Sequence, residues 1–233
     1  MTEPSFLTLL SLGFVLGLRH ALDTDHIAAV STVLAQRPSM RASGIIGLSW
    51  GLGHTLVLLL VGAVVLLLRV QIPESVANIA EFGVGAMLVV LGAVLAKKLL
   101  KERWHVHAHE HSGERHLHLH SHEVVADHRH LHWLRDSLQP LCIGMAHGLA
   151  GSAAVLLIVL STAKTVAMGL LYIAMFGIGS IIGMMLIGLA IAMPVLWSLS
   201  IERRLFLAVQ GLASVSSIGL GLSMMLRIAF GQS

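Results

Sequence analysis

Residues 5–34 read SFLTLLSLGFVLGLRHALDTDHIAAVSTVL. The stretch is apolar over most of its length and long enough to cross a membrane, for which about 20 residues suffice. Its centre, however, is Arg19-His20-Ala21-Leu22-Asp23-Thr24-Asp25-His26-Ile27. Each charge held at mid-bilayer costs about 2.5–3.5 kcal/mol, and such residues usually face a cavity on an ion path. The rest of the chain decides between a membrane and a soluble setting. The 233 residues are 56% hydrophobic and only 12% charged, against roughly 45–50% and 25% for soluble domains. Mean hydropathy is +0.85. An ordinary soluble globule and a disordered chain are therefore excluded. One cysteine, Cys142, excludes a disulfide framework and a cysteine-based zinc module,. Met1-Thr2-Glu3-Pro4 carries no positive charge ahead of the apolar run, so a retained span is expected there rather than a cleaved leader,.

Six apolar segments emerge: about Ser5–Leu34, Ala42–Leu68, Ile79–Leu95, Leu138–Leu160, Thr165–Leu196 and Leu205–Phe230. Pro38, Pro73, Pro140 and Pro194 are expected at or near segment ends, where proline does least harm,. Arg37 and Arg41, seven Lys and Arg between Lys97 and Arg135, and Arg203 with Arg204 place 11 of the 15 basic residues on one side. Arg69, Lys164 and Arg227 fall on the other side, and Arg19 within the first span. The positive-inside rule then puts the long polar loop in the cytoplasm and both termini outside.

The halves of the chain resemble each other. Gly17-Leu18-Arg19-His20-Ala21-Leu22 reads like Gly144-Met145-Ala146-His147-Gly148-Leu149, an offset of 127, and Trp50-Gly51-Leu52-Gly53-His54 like Phe176-Gly177-Ile178-Gly179-Ser180, an offset of 126. The expected fold is an all-α integral membrane protein of about six helices in two inverted three-helix repeats. Residues 1–96 form the first unit, 97–137 a His-rich cytoplasmic loop, and 138–233 the second unit. Such repeats place substrate sites near the midplane, often at broken helices. Asp23, Asp25 and His26 align with Ala150, Ser152 and Ala153, so the ligand chemistry sits in the first half.

On an ideal helix, Asp23 stands between His20 and His26, about 60° from each, while Asp25 falls about 140° from His20 unless the helix unwinds. A buried ion-pair cluster would also explain polar residues between helices, but four ligand-type side chains within seven positions favour a metal site. His54, in Gly51-Leu52-Gly53-His54-Thr55, is the expected additional ligand, with Thr55 or Ser49 free to hold its second nitrogen. His147 and Arg19 are expected along the pathway, and Cys142 and Met145 are read as packing. The charges kept within the apolar segments are read as Arg19, Asp23 and Asp25. Imidazole nitrogen with carboxylate oxygen suits divalent first-row metals, and the absence of thiolate favours nickel or cobalt over copper(I).

These residues resemble the nickel/cobalt transporter (NiCoT) family, and specifically its shorter permeases related to urease-accessory nickel proteins. The family's early-helix signature, Arg-His-Ala-x-Asp-Ala-Asp-His-Ile, is similar to Arg19–Ile27 with Thr24 in place of alanine. Its Leu-Gly-His-Ser/Thr motif is matched by Leu52-Gly53-His54-Thr55. The resemblance implies that His20, Asp23, Asp25, His26 and His54 bind the transported Ni2+ or Co2+. It implies no cofactor and no enzymatic activity. Larger members have eight spans against the six expected here, and the family's later acidic motifs have no match in Gly144–Ala154.

Between Arg103 and Trp133 lie eleven histidines: His105, His107, His109, His111, His116, His118, His120, His122, His128, His130 and His132. Such tracts bind metals loosely, with exchangeable ligand sets. His122-Glu123-Val124-Val125 is followed by Ala126, which breaks the HExxH zinc-protease pattern,. The expectation is a multi-pass inner-membrane importer of nickel or cobalt, with the loop as a metal buffer. Its partners are the lipid bilayer and a candidate cytoplasmic metallochaperone, with no nucleic acid. The weighed alternatives are efflux through the same site, an intramembrane His-box metalloenzyme, and a metal sensor or store built on the loop.

Overall fold

The structure, a computed structural model, describes residues 6–36, 38–103, 108–111, 114–117, 132–163 and 165–231. The first apolar segment is two helices, α1 (Phe6–His20) and α2 (Thr24–Gln36), rather than one continuous span. α1 closes with two tight i→i−3 bonds, from Leu22 N–H to Arg19 O at 2.9 Å and from Asp23 N–H to His20 O at 3.0 Å. α2 opens where the Asp23 carbonyl accepts from Ile27 N–H at 3.1 Å. Arg19 and His20 occupy the last turn of α1 and Asp25 the first turn of α2; Arg19 and Asp25 carry the charges that their helix dipoles favour. The polar run therefore also encodes where the apolar helix stops.

α3 (Met40–Leu68) follows the N-cap Ser39, whose hydroxyl accepts from Ala42 N–H at 3.4 Å, and ends at Arg69 in the left-handed region, φ 52°. α4 is Glu74–Arg103, α5 His132–Thr162, α6 Val166–Ile201 and α7 Arg203–Ala229. Thr165 caps α6 by accepting from Met168 N–H at 3.2 Å. Among the described residues, α3, α4 (over Glu74–Lys101), α6 and α7 are long and apolar enough to cross a membrane. The helices outrun the apolar segments. Pro140 and Pro194, expected at segment ends, consequently lie inside α5 and α6. In lipid a backbone has no water to satisfy it, so continuing the helix past a proline costs less than stopping. Within the His-rich stretch, β1 (Ala108–His111) and β2 (Glu114–Leu117) pair antiparallel with His109 opposite His116. This short hairpin departs from the all-α expectation where histidine alternates with other residues, the period of a strand.

Glycines set how closely the helices approach. A Cβ on Gly17 would run into the Phe176 carbonyl of α6, and one on Gly144 into the Trp50 carbonyl of α3. Gly13 against Tyr172 and Gly17 against Phe176 make α1 parallel to α6. Trp50 against Gly144 and His54 against Gly148 make α3 parallel to α5. Gly47 against Met184 and Gly51 against Ile181 make α3 antiparallel to α6. α4 and α7 are also antiparallel, through Gly85 on Gly221, Ser217 Oγ donating to Leu88 O at 2.8 Å and Ser214 Oγ donating to Gly92 O at 2.8 Å.

Polarity is arranged inside out. Leu56, Leu60, Leu67, Leu186, Leu212 and Val215 are exposed, whereas Ser43, Ser180, Ser198, Gln210, Ser214 and Ser217 are buried. Gln210 Nε2 donates to Ala35 O at 2.6 Å, and Thr55 Oγ1 to Gly177 O at 3.3 Å. Small residues and interhelical hydrogen bonds hold helices together where lipid already satisfies apolar surface. One apolar cluster, around Trp50, Leu88, Leu34 and Met184, packs below the α1–α2 break; the second surrounds Leu9, Leu58, Tyr172 and Phe176.

Candidate metal centre

The break between α1 and α2 turns His20 inward from the end of one helix and His26 inward from the first turn of the next. His54 of α3 meets them. Ring centroids are 4.7 Å apart for His20–His26, 4.9 Å for His20–His54 and 5.6 Å for His26–His54. His147 of α5 completes a four-ring cluster, 4.8 Å from His26 and 5.0 Å from Trp50. Phe176 stands 5.3 Å from His20. His26, His54 and His147 are 2%, 0% and 1% exposed.

The carboxylates decide which ring nitrogen is free. Asp23 Oδ2 lies 2.7 Å from His20 Nδ1, and Asp25 Oδ1 lies 3.1 Å from His26 Nδ1. An ionised carboxylate only accepts, so both Nδ1 atoms carry the proton and both Nε2 atoms present a lone pair. His147 repeats the pattern with the Ile143 carbonyl, which accepts from Nδ1 at 3.1 Å. The Nε2 atoms of His20, His26 and His147 and both ring nitrogens of His54 are buried without a protein hydrogen-bond partner. Leaving such a group unsatisfied costs about 1–3 kcal/mol. Five of them on one cluster mark a place built for something other than folding.

His20, His26 and His54 each offer a ligand nitrogen, all within 4.8 Å of one another, and Asp23, Asp25 and His26 form a second such group. Imidazole–metal bonds run about 2.0–2.1 Å, as for zinc, so nitrogens on one ion stand at most about 4.2 Å apart, close to the 4.8 Å within which the trio lies. The carboxylate–imidazole pairs match the arrangement that fixes ring tautomer and orientation at metal sites. A cavity of about 520 Å3 reaches the cluster, with His20, Asp23, Asp25, His26, Glu81 and Arg227 among its lining.

The structure rearranges several expected roles. His20, His26 and His54 converge. Asp25, placed off the ligand face by an ideal helix, turns inward because the helix breaks before it; its Oδ2 is 3.7 Å from His147 Nε2. Asp23, expected centrally between two histidines, is 52% exposed and sits at the rim. Arg19 is exposed, does not line the cavity and has no carboxylate within ion-pair distance among the described residues. Cys142 is also exposed. Glu81 was overlooked and Arg227 was read only as a flanking charge: the charges reaching the cavity from apolar segments extend beyond Asp23 and Asp25. Glu81 stands within Ile79–Leu95, so a count of charges by segment finds it. Trp50, packed on two of the imidazoles, is visible in sequence only as a repeat position. Of the loop histidines, His105, His107, His118, His120, His122, His128 and His130 lie outside the described residues; His109, His111, His116 and His132 are placed by their backbone.

Apolar helices closing over buried imidazoles oriented by carboxylates define a membrane protein that handles a transition-metal ion. The sequence comparisons narrow this. The high-affinity nickel-transport protein family, NicO, matches residues 6–230, and the chain belongs to that family of transporters. It is 37% identical over 194 residues to the urease accessory protein UreH of Bacillus sp. (strain TB-90), covering 83% of this chain and 80% of that protein. No solved structure matches it.

Proposed function

We propose that this protein imports nickel, and cobalt less favourably, by binding the dehydrated ion between His20, His26 and His54. The observation that carries the reading is the set of buried Nε2 lone pairs on His20 and His26, aimed by Asp23 and Asp25 at the break between α1 and α2. Three nitrogen ligands with carboxylates behind them suit nickel and cobalt. His147 extends the ligand set on the side of α5.

Six crossings are proposed, with α1 and α2 forming one broken crossing and α5 the fourth. Residues 1–96 and 138–233 are proposed as inverted halves joined by the loop at 97–137. The contacts support this reading. Gly17 on Phe176 and Trp50 on Gly144 are interconverted by the offsets of 127 and 126, as are Gly53 on Leu141 and Phe14 on Gly179, and Gly51 on Ile181 and Thr55 on Gly177. α3 and α6, which correspond under these offsets, run antiparallel. The alternation of access is then a rocking of one half against the other around the fixed ligands.

The proposed direction takes its support from the cavity. Glu81 is 22 residues before Arg103 on α4, roughly 33 Å of helix, and Arg227 is in the last turn of α7. The cavity thus opens at the end of the bundle opposite the helix ends that flank residues 104–131. With that loop cytoplasmic and both termini outside the inner membrane, the open side faces outward and the loop receives the ion for a cytoplasmic metallochaperone. Uptake of nickel, cobalt and zinc into proteoliposomes tests this. Wild type is expected to favour nickel, and His20→Ala and His54→Ala to abolish uptake; transport at the wild-type rate by either variant refutes the assignment, and accumulation only against the proposed orientation makes the protein an exporter.

A further inference from the structure

Two groups of ligand atoms share His26, and they differ in kind. The inner one, His20–His26–His54, is all nitrogen; the outer one, Asp23–Asp25–His26, is mostly oxygen. Exposure falls steadily along the series: 52% for Asp23, 24% for Asp25, 15% for His20, 2% for His26 and 0% for His54. The cavity is lined by Asp23, Asp25, His20, His26 and His147 but not by His54, which lies behind them. An ion coming from the open side therefore passes carboxylates before it reaches the full imidazole set.

Size separates the two positions further. Six waters at about 30 Å3 each occupy roughly 180 Å3, so the cavity of about 520 Å3 admits a divalent ion with its hydration shell intact. The inner nitrogens, within 4.8 Å of one another, leave no space for that shell. Charge points the same way. Glu81 lines the cavity from α4 and Arg227 from α7. With the imidazoles neutral, Asp23, Asp25 and Glu81 against Arg227 leave a formal charge of −2, which one divalent cation balances. The acids alone would be only a charged surface. His26, which lines the same cavity and carries a buried Nε2 with no protein partner, is what ties them to a ligand.

We infer that the cavity holds an outer station in which Glu81 and Asp23 receive the hydrated divalent cation through its waters, before Asp25 and the imidazoles strip it. The inference rests on the transport reading above and adds a second, less selective position to it. Hydrated oxygen-seeking cations such as Mg2+ bind the outer station and cannot proceed, because they give up water reluctantly and take oxygen ligands. The two stations thus divide the work: the outer one concentrates divalent ions by charge, and the inner one selects by ligand type.

The test is nickel uptake by the full-length protein in oriented proteoliposomes, with nickel and Mg2+ varied on the open side. Glu81→Gln and Asp23→Asn are expected to raise the nickel concentration for half-maximal uptake on the order of tenfold, the low end of electrostatic steering. External Mg2+ is expected to compete with nickel in wild type and much less in Glu81→Gln. Arg227→Gln is expected to act oppositely, lowering the half-maximal concentration and deepening the Mg2+ block. Glu74→Gln, seven residues earlier on α4 and outside the cavity lining, controls for general surface charge, and thermal melting of each variant in detergent controls for folding. If Glu74→Gln weakens uptake as much as Glu81→Gln, or if Glu81→Gln keeps wild-type half-saturation and Mg2+ block, the outer station is refuted. The inner site is judged separately by His54→Ala: loss of uptake there with an unchanged Glu81→Gln sinks the station alone, and wild-type uptake there sinks both.

Discussion

His54→Leu should stabilise the metal-free fold while destroying its response to nickel. His54 is fully buried, and neither ring nitrogen has a protein partner. Each unsatisfied buried polar group costs about 1–3 kcal/mol. Leucine removes both and fills a similar space, at about 1–1.5 kcal/mol for imperfect shape. The net expectation is a gain on the order of 2 kcal/mol, or a melting temperature higher by roughly 4–8 °C for a chain of this size. Nickel acts in the other direction. At 100 times its dissociation constant, an ion that binds only the folded state contributes about 2.7 kcal/mol, so wild type should melt roughly 5–10 °C higher with nickel than without. In His54→Leu that shift should nearly vanish. Tryptophan fluorescence melts of purified protein in detergent, with and without nickel, read both quantities. A metal-free His54→Leu that melts below wild type refutes the reasoning, because the imidazole would then be supporting the fold. A full nickel shift in the variant refutes its role as a ligand.

Asp25→Asn should lower nickel affinity by about 10–100-fold, the usual effect of losing a group that orients a metal-bound histidine; isothermal titration in detergent measures it, and unchanged affinity means Asp25 does not hold His26 for the metal. Gly17→Ala should cost about 1–3 kcal/mol, since the new methyl meets the Phe176 carbonyl,. Gly44→Ala, with nothing within 4 Å of its added Cβ, should gain about 0.5–1 kcal/mol from helix propensity; equal melting temperatures for the two would contradict the α1–α6 packing. Replacing residues 105–131 by a short Gly/Ser linker should leave nickel uptake in proteoliposomes largely intact while lowering the nickel bound per purified molecule. Loss of uptake in that variant would make the loop part of the path.

The ligand types were legible in the sequence because histidine and aspartate are anomalous in an apolar segment, whatever the backbone does there. Their placement was not, because it depends on where the helix is interrupted, at Ala21–Asp23. A uniform helix puts Asp23 between the histidines and Asp25 outside. The break exchanges their depths, leaving Asp23 at the rim and Asp25 beside His26 and His147. Basic residues followed by Asp-Thr-Asp allowed for an unwound helix here, but did not fix where it breaks or which carboxylate the break turns inward. Helix ends were misjudged for a related reason: apolar runs mark the part of a helix that touches lipid, while hydrogen bonding carries α4, α5 and α6 beyond it. Glu81 escaped notice because it stands alone in its segment. Its partners in the cavity come from α1, α2 and α7, and no local pattern joins them.

If the two halves are the proposed repeats, the contrast between their corresponding stretches accounts for where the proposed ligands stand. α1 and α2 are interrupted at Ala21–Asp23, and the equivalent Gly148–Ala150 lies within the uninterrupted α5. An interrupted helix exposes backbone groups that lipid cannot satisfy, so the break is tolerated only where a polar cavity meets it. The matching part of α5 is smooth instead: Gly148 approaches the His54 backbone, and a Cβ on Gly151 would come within 3.3 Å of the His20 ring. Glycine there leaves the imidazoles the space to close on an ion. One half thus supplies the proposed ligands His20, His26 and His54, and the other faces them with Gly148 and Gly151 and adds His147 to the imidazole cluster. A Gly151→Val substitution separates this from simple packing. It adds no charge and removes no ligand, yet it should obstruct the inward movement of His20 and reduce nickel binding while the metal-free melting temperature stays near that of wild type. Unimpaired nickel binding in Gly151→Val would mean that the imidazoles need no further movement, and that the glycines serve only to bring the helices together.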